Sequence, residues 1–424
     1  MEKFISIFGI AAILGIAYLL SSDKKNINSK LIIWGLSLQL FFSIVILKIP
    51  GGKWVFNLID SIIKKILDFS VEGSKFLFGN LANKNMFGPW EQSFPNDGTW
   101  PGFGFQFAFL VLPTVIFFSS LMSVLYHFGI MQKIIKFMSK IMQKTMGTSG
   151  AETASISANI FVGQTEAPLV IKPFISKMTN SELTAIMTGG FATVAGGVMA
   201  AYVLMLSDVI PGIAGHLMAA SIMSAPAALV IAKIIYPETS TPETAKDNIE
   251  LSQVSDEGNF LEALGNGATE GMKLALNIAA MLIAFLSVLA LLNWILSLIS
   301  FGNTVLTIEL ILGYIFMPLA FLMGAPWSES QILGTLMGQK LVLTEFIAYG
   351  NLASLSDQLS VRTATIAAYA LCGFANFASI GIQLGGIGSI APDRKKDLAK
   401  LVTKAMLGGA LASFLTATIA GILI

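Results

Sequence analysis

"FVGQTEAPLVIKPF", residues 161–174, is the stretch on which the reading of this chain turns. Apolar residues surround it, yet Gln164, Thr165 and Glu166 stand side by side, with Pro168 two positions on. The setting is a membrane. Of 424 residues, 54% are hydrophobic and only 12% charged, against about 25% charged in a soluble domain. Mean hydropathy is +0.75. The apolar runs are about twenty residues long rather than alternating tens, which specifies helices and not a β-barrel. An ionisable side chain at membrane depth costs ~2.5–3.5 kcal/mol on insertion scales, so Glu166 is a functional residue by default.

Working outward, eight spans are expected: 4–20, 31–48, 103–126, 181–207, 211–236, 273–300, 359–384 and 402–424. Residues 4–20 read as a retained first span, because no small-residue cleavage site closes the run and a second apolar run follows. The segment 57–84 and the segment 131–144, "MQKIIKFMSKIMQK", repeat apolar residues at helical spacing against lysines, as interfacial helices do. Residues 237–262 are the only long polar stretch and divide the chain. Lys24, Lys25 and Lys30, and later Arg394, Lys395, Lys396 and Lys400, place their loops in the cytoplasm and both termini outside. Net charge is +1, which gives no reason to expect a nucleic-acid partner, and the single Cys372 excludes disulfides within the chain.

Two regions do not fit simple spans. Residues 148–178 and 326–356 are each about thirty residues long, with polar residues near the middle, so each half is too short to cross. They read as re-entrant hairpins, whose tips need protein or a watery cavity around their polar backbone. The first carries Thr165-Glu166 and the second Thr344-Glu345. After them, Gly-Phe-Ala recurs at 190–192 and 373–375, followed by Thr193 and Asn376. The order span, amphipathic helix, hairpin, broken span, span thus occurs twice, and the number of crossings between the copies makes them inverted. Inverted repeats with discontinuous helices mark secondary transporters, with the site near the midplane. Glu166, Glu345, Thr193 and Asn376 are expected to converge there. The resulting organisation is an all-α polytopic membrane protein of eight transmembrane helices, two re-entrant hairpins and interfacial helices. Residues 1–127 form a scaffold of spans one to three, 128–236 the first transport repeat, 237–272 a linker, 273–300 scaffold span six and 301–424 the second transport repeat.

The motifs "GQTEAPL" at 163–169, "EFIAY" at 345–349 and "GFANFASIGI" at 373–382 resemble the concentrative nucleoside transporter family. The resemblance covers nearly the whole chain. It implies a homotrimer in which a scaffold holds the assembly and a transport domain moves as an elevator, in the inner (plasma) membrane of a bacterium. It implies nucleobase contacts from Gln164, Thr165 and Glu166, with Val198 beside the base. Glu345, Asn376 and Ser379 would hold the ribose, and Phe374 would pack on the nucleoside. A sodium ion would lie among the Asn159 side chain, the Val162 carbonyl, the Thr193 hydroxyl and the Val194 carbonyl. Thr344 stands where relatives often have Asn, and Thr193 where they often have Ser.

These residue types suit that ligand. A carboxylate accepts from two vicinal hydroxyls, and an amide both donates and accepts at a base edge. The plain alternative for the two acids is an ion pair with Lys172 or Lys340. For Asn159 and Thr193 it is interhelical hydrogen bonding. "GGIGS" at 385–389 lacks the pattern of a phosphate loop and reads as a flexible span end. Three functions stay open. The first is a cation-coupled nucleoside symporter, driven by sodium or, alternatively, by protons through Glu166 or Glu345. The second is a membrane enzyme acting on lipid phosphates through Asp393 and Asp397 beside Arg394. The third is a channel, which would want a continuous polar lining rather than polar residues at one depth.

Overall fold

Long apolar stretches that fold as helices close their backbone hydrogen bonds within one segment, which is what a bilayer requires. The computed structural model describes residues 2–82, 106–245, 258–298, 300–301 and 304–424, and is all-helical apart from a two-residue ladder pairing Ser300–Phe301 with Thr304–Val305. Residues 83–84 of the expected interfacial segment, 103–105 of the third span and 246–257 of the linker lie outside the described residues.

The chain begins with α1 (Glu2–Leu19), α2 (Ser29–Leu47) and α3 (Pro50–Phe78). The first repeat follows: α4 (Phe107–His127), α5 (Ile130–Met146), a hairpin of α6 (Gly150–Ala158) and a 3-10 segment (Ala167–Lys177), the broken pair α7 (Asn180–Ala192) and α8 (Gly196–Leu206), and α9 (Ile213–Ile235). The same order returns as α10 (Phe260–Ser297), α11 (Ile308–Leu322), a hairpin of α12 (Trp327–Val342) and α13 (Glu345–Ser354), the broken pair α14 (Val361–Leu371) and α15 (Phe377–Ile390), and α16 (Lys395–Leu423).

Six helices among the described residues are long and apolar enough to cross a membrane. The two other expected spans take different forms: 4–20 is a shorter apolar helix, and 359–384 is interrupted at Cys372–Asn376. Span six starts earlier than the expected 273, because Asn259 caps α10 by accepting from the Glu262 N–H. α5 has the expected amphipathic form, with Met131, Ile135, Ser139, Met142 and Met146 buried along one stripe. Its counterpart α11 does not. It carries one charged residue, Glu309, and meets α12 at 120°. "GGIGS" is helical rather than flexible, lying in the last turns of α15.

Burial separates two kinds of helix. The apolar stretch of α7–α8 is 94% buried, that of α9 89% and that of the segment ending in α16 83%. For α2 the figure is 28% and for α10 only 17%. α9 and α16 are therefore the centre of the molecule, while α10 shows an apolar face that includes Ile283, Leu286, Leu291 and Trp294. α10 lies along α4, tied by the Ser120 hydroxyl donating to the Leu264 carbonyl at 2.7 Å.

The base of the first hairpin is fixed by polar groups. Ser149 and Glu152 form a capping box at α6, and Thr179 and Glu182 form another at α7. Lys233 of α9 is buried, with Nζ 2.8 Å from Glu152 Oε2 and 3.3 Å from Glu238 Oε2. The first part of the linker is docked here rather than free: Thr244 accepts from the Gly150 N–H through its carbonyl and from the Ala151 N–H through its hydroxyl.

Candidate substrate and ion site

Both broken spans stop at their Gly-Phe-Ala motif, and the two breaks touch. Gly373 has φ +111°, a conformation that L side chains rarely adopt. A Cβ there would lie 2.6 Å from the Phe191 carbonyl oxygen and 2.7 Å from the Ala192 carbonyl carbon. Only a bare Cα lets one interruption rest on the other. Breaking two helices at membrane depth frees backbone polar groups that need partners, and the surrounding side chains are those partners.

In the second repeat, Asn376 is the first residue after the break and caps α15: its Oδ1 accepts from the Ser379 N–H at 2.8 Å. Its Nδ2 donates to Glu345 Oε2 at 2.7 Å. Glu345 opens α13 and is buried, where the helix N-terminus favours a carboxylate. Its other oxygen accepts from the Tyr202 hydroxyl at 2.9 Å. Tyr202 belongs to α8, so the acid joins the two repeats. Tyr202 in turn lies against Phe346 and Tyr349, with ring centroids at 4.8 and 4.3 Å. Thr344, one residue before the acid, caps α13 by accepting from the Ile347 N–H. Ser379 is buried, and its hydroxyl has no hydrogen-bond partner among the described residues. Phe374 stands half-buried in the break, whereas its counterpart Phe191 is fully buried.

The ion pair between Glu345 and Lys340 is not formed. Lys340 is fully buried, and its Nζ donates to the Ala370 carbonyl at 2.8 Å and the Cys372 carbonyl at 3.1 Å. Its ammonium thus serves the carbonyls that α14 leaves open at its C-terminus. The Ser413 hydroxyl adds a second donor to Cys372 O at 2.6 Å. Glu345 is left with neutral donors only, so its charge is available to a ligand.

The first hairpin carries Gln164, Thr165 and Glu166 at its tip. Gln164 is buried and accepts through Oε1 from Gln383 Nε2 at 3.0 Å. Thr165 sits beside Gly386 of α15, whose Cβ would come to 2.5 Å from the threonine methyl. Glu166 is exposed and takes the Gly163 N–H at 3.2 Å, so it pairs with its own tip and not with Lys172. The tip rests on the first break, where the Gly196 N–H donates to the Phe161 carbonyl at 2.9 Å. Val198, in the first turn of α8, is buried.

The two segments that meet there carry oxygen atoms without partners. Asn159 is fully buried, and neither its Oδ1 nor its Nδ2 has a hydrogen-bond partner among the described residues. The carbonyls of Val162 and Val194 accept no hydrogen bond among the described residues. The Thr193 hydroxyl donates to the Gly189 carbonyl at 2.9 Å, which leaves its lone pairs free. An unpaired buried amide costs roughly 1–3 kcal/mol, so this donor set fits a hard cation that wants oxygen. The sequence alone singled out neither Tyr202 nor Gln383. Asp393 and Asp397 have structural partners instead: Asp393 accepts from the Ser176 hydroxyl at 3.0 Å, and Asp397 pairs with Arg394 at 2.8 Å.

Comparison with known proteins finds relatives over the whole length of the chain. Three family profiles cover most of the chain: Na+ dependent nucleoside transporter N-terminus over 8–81, nucleoside recognition over 108–209, and Na+ dependent nucleoside transporter C-terminus over 216–421. The chain is 43% identical to the uncharacterized transporter YutK of Bacillus subtilis, over the full length of both. It is 38% identical to the sodium/nucleoside cotransporter 2 of Rattus norvegicus, matching all of this chain and 63% of that protein. Among solved structures, CNTnw in an inward-facing substrate-bound state is 40% identical, with a TM-score of 0.90, covering 100% of this chain and 98% of that one. Variants of CNTnw in outward-facing and intermediate states superpose equally well, at 0.90 and 0.89. The acid, the amides and the paired breaks therefore stand in a nucleoside transporter and not an enzyme, and the chain belongs to the Na+ dependent nucleoside transporter family.

Proposed function

We propose that the protein is a secondary active symporter that couples inward sodium flow to uptake of a uridine-like nucleoside. The observation that carries the reading is Glu345, a buried carboxylate held between Tyr202 and Asn376 that forms no ion pair among the described residues. Each carboxylate oxygen has more than one lone pair, so both can take a ribose hydroxyl without losing their present donors. Asn376 Oδ1 stays committed to the helix cap, and the Ser379 hydroxyl completes the sugar site. Gln164, Thr165 and Glu166 meet the base, Val198 backs it, and Phe374 covers the nucleoside. Sodium is held by Asn159, Val162, Thr193 and Val194 at the contact between the first hairpin tip and the first break. Substrate and ion sites share that hairpin, so the ion steadies the tip that carries the base contacts.

The two burial classes support an elevator. The buried helices, with the hairpins they enclose, make up the moving repeats at 128–236 and 301–424. The exposed helices belong to the scaffold at 1–127 and 273–300; of the stretch 237–272, residues 260–272 already belong to α10 and the rest is the connector. The apolar face of α10 suits contact with lipid and with other copies in a homotrimer. The setting is the bacterial inner (plasma) membrane, with both termini outside.

Competition tests the sugar reading. If Glu345, Asn376 and Ser379 hold hydroxyls, free uracil leaves those buried groups unmatched at roughly 1–3 kcal/mol each. Uracil should then inhibit labelled uridine uptake with a Ki about 100-fold or more above that of uridine. Equal inhibition by the two would remove the ribose assignment.

A further inference from the structure

We infer that Gln383 is a positioning residue that fixes the orientation of Gln164 and so sets which edge of the base the transporter reads. The inference rests on the nucleoside reading above and deepens it. Gln383 lies in α15, in the second repeat, and its side chain crosses to the first. It is buried, and its Nε2 donates to the Met187 carbonyl and to Gln164 Oε1, both at 3.0 Å.

The chemistry of these three groups leaves one arrangement. A backbone carbonyl only accepts, so the nitrogen of Gln383 must face Met187. Its second N–H then faces Gln164, which must present oxygen in return. Gln164 Nε2 has no partner among the described residues and is left as the free donor of the hairpin tip. The base partner it fits is an acceptor: a carbonyl oxygen or an unprotonated ring nitrogen. Gln383 Oε1 is buried and has no partner among the described residues, so it is an acceptor for a base N–H or a bridging water.

The backbone is built around the pair. Gly190, the glycine of the first Gly-Phe-Ala motif, lies directly beneath it. A Cβ there would come to 2.7 Å from Gln383 Nε2 and 2.9 Å from Gln164 Cβ. The glycine that recurs before both breaks thus has a local task in the first repeat, which is to admit the two amides.

The test is a double-mutant cycle on uridine transport. Gln383→Met keeps the volume and removes both donors, freeing the Gln164 amide to turn over. It should raise the KM for uridine about tenfold with kcat within about twofold. The penalty for removing the 2′- and 3′-hydroxyls should stay unchanged, because the sugar site is not touched. In a Gln164→Met background, Gln383→Met should have no further effect. An unchanged uridine KM in Gln383→Met overturns the inference. So does an equal rise in KM in both backgrounds, which is what loosened packing alone would give. If Gln383→Met does not reach the membrane, Gly190→Ala decides: it crowds the same pair and should raise the uridine KM with the sugar penalty intact, and a normal KM contradicts the inference. A wild-type protein that carries no nucleoside removes the functional reading itself. Base-independent behaviour of the variants in a transporting protein removes only the role of Gln383.

Discussion

Glu345→Gln should abolish nucleoside uptake while leaving the protein folded. The buried carboxylate takes the Tyr202 hydroxyl on one oxygen and the Asn376 amide on the other. Asn376 cannot turn its amide over without breaking the cap to Ser379, so it keeps its donor aimed at residue 345. The Tyr202 hydroxyl can rotate and accept from a glutamine nitrogen instead. Glutamine is therefore accommodated, with its oxygen toward Asn376 and its nitrogen toward Tyr202. The loss is the charge. Hydrogen bonds to an ionised acceptor contribute ~1.5–3 kcal/mol each, and two ribose hydroxyls depend on it. A fall of at least about 100-fold in kcat/KM for uridine is expected, with unchanged elution in detergent and a melting temperature within a few degrees. Wild-type transport by this variant would make the acid structural.

The second large effect concerns motion. Gly197 of α8 belongs to the proposed moving body and Ser119 of α4 to the proposed scaffold. A Cβ on Gly197 would lie 3.2 Å from Ser119 Oγ, close enough for a disulfide between cysteines at the two positions. The only native cysteine, Cys372, is buried, and Cys372→Ser gives a clean background. In a Ser119→Cys, Gly197→Cys protein, oxidation should stop uridine uptake almost completely, and reduction should restore it. Both bodies would remain intact, since the bridge joins surfaces already in contact. A bridge that forms in the membrane and leaves uptake untouched would replace the elevator with a local gate.

Most of this architecture is legible in the sequence because membranes make polar residues conspicuous. Glu166, Glu345 and Asn376 stand out against apolar runs. The paired Gly-Phe-Ala motifs mark the breaks, and Gly373 resting on Phe191 and Ala192 is the physical reason for glycine in the second of them. What escaped was long-range pairing. Tyr202 is one polar group in an apolar helix, and its partner is 143 residues away. Gln383 reaches across 219 residues to Gln164. No local periodicity encodes either contact. Lys340 as a counter-ion to Glu345, the plain alternative, fails because its ammonium serves the Ala370 and Cys372 carbonyls, freed by a helix break that sequence places only approximately. α11 escaped for the opposite reason: a helix with a single charge has no polar stripe by which to recognise it.

The central claim is that the oxygens left open at the first hairpin hold the ion that drives uptake. Asn159 is the residue to question, since both its polar atoms are buried without partners among the described residues. The measurement is uridine uptake into proteoliposomes under an inward sodium gradient without a pH difference, and under an inward proton gradient without sodium, for wild type and Asn159→Ala. Saturable uptake should follow sodium, and Asn159→Ala should raise the sodium concentration for half-maximal uptake about tenfold, the effect of losing roughly 1.4 kcal/mol of ion binding, before it lowers the rate at saturating sodium. Uptake that follows protons, ignores sodium and is unchanged in Asn159→Ala would contradict the account.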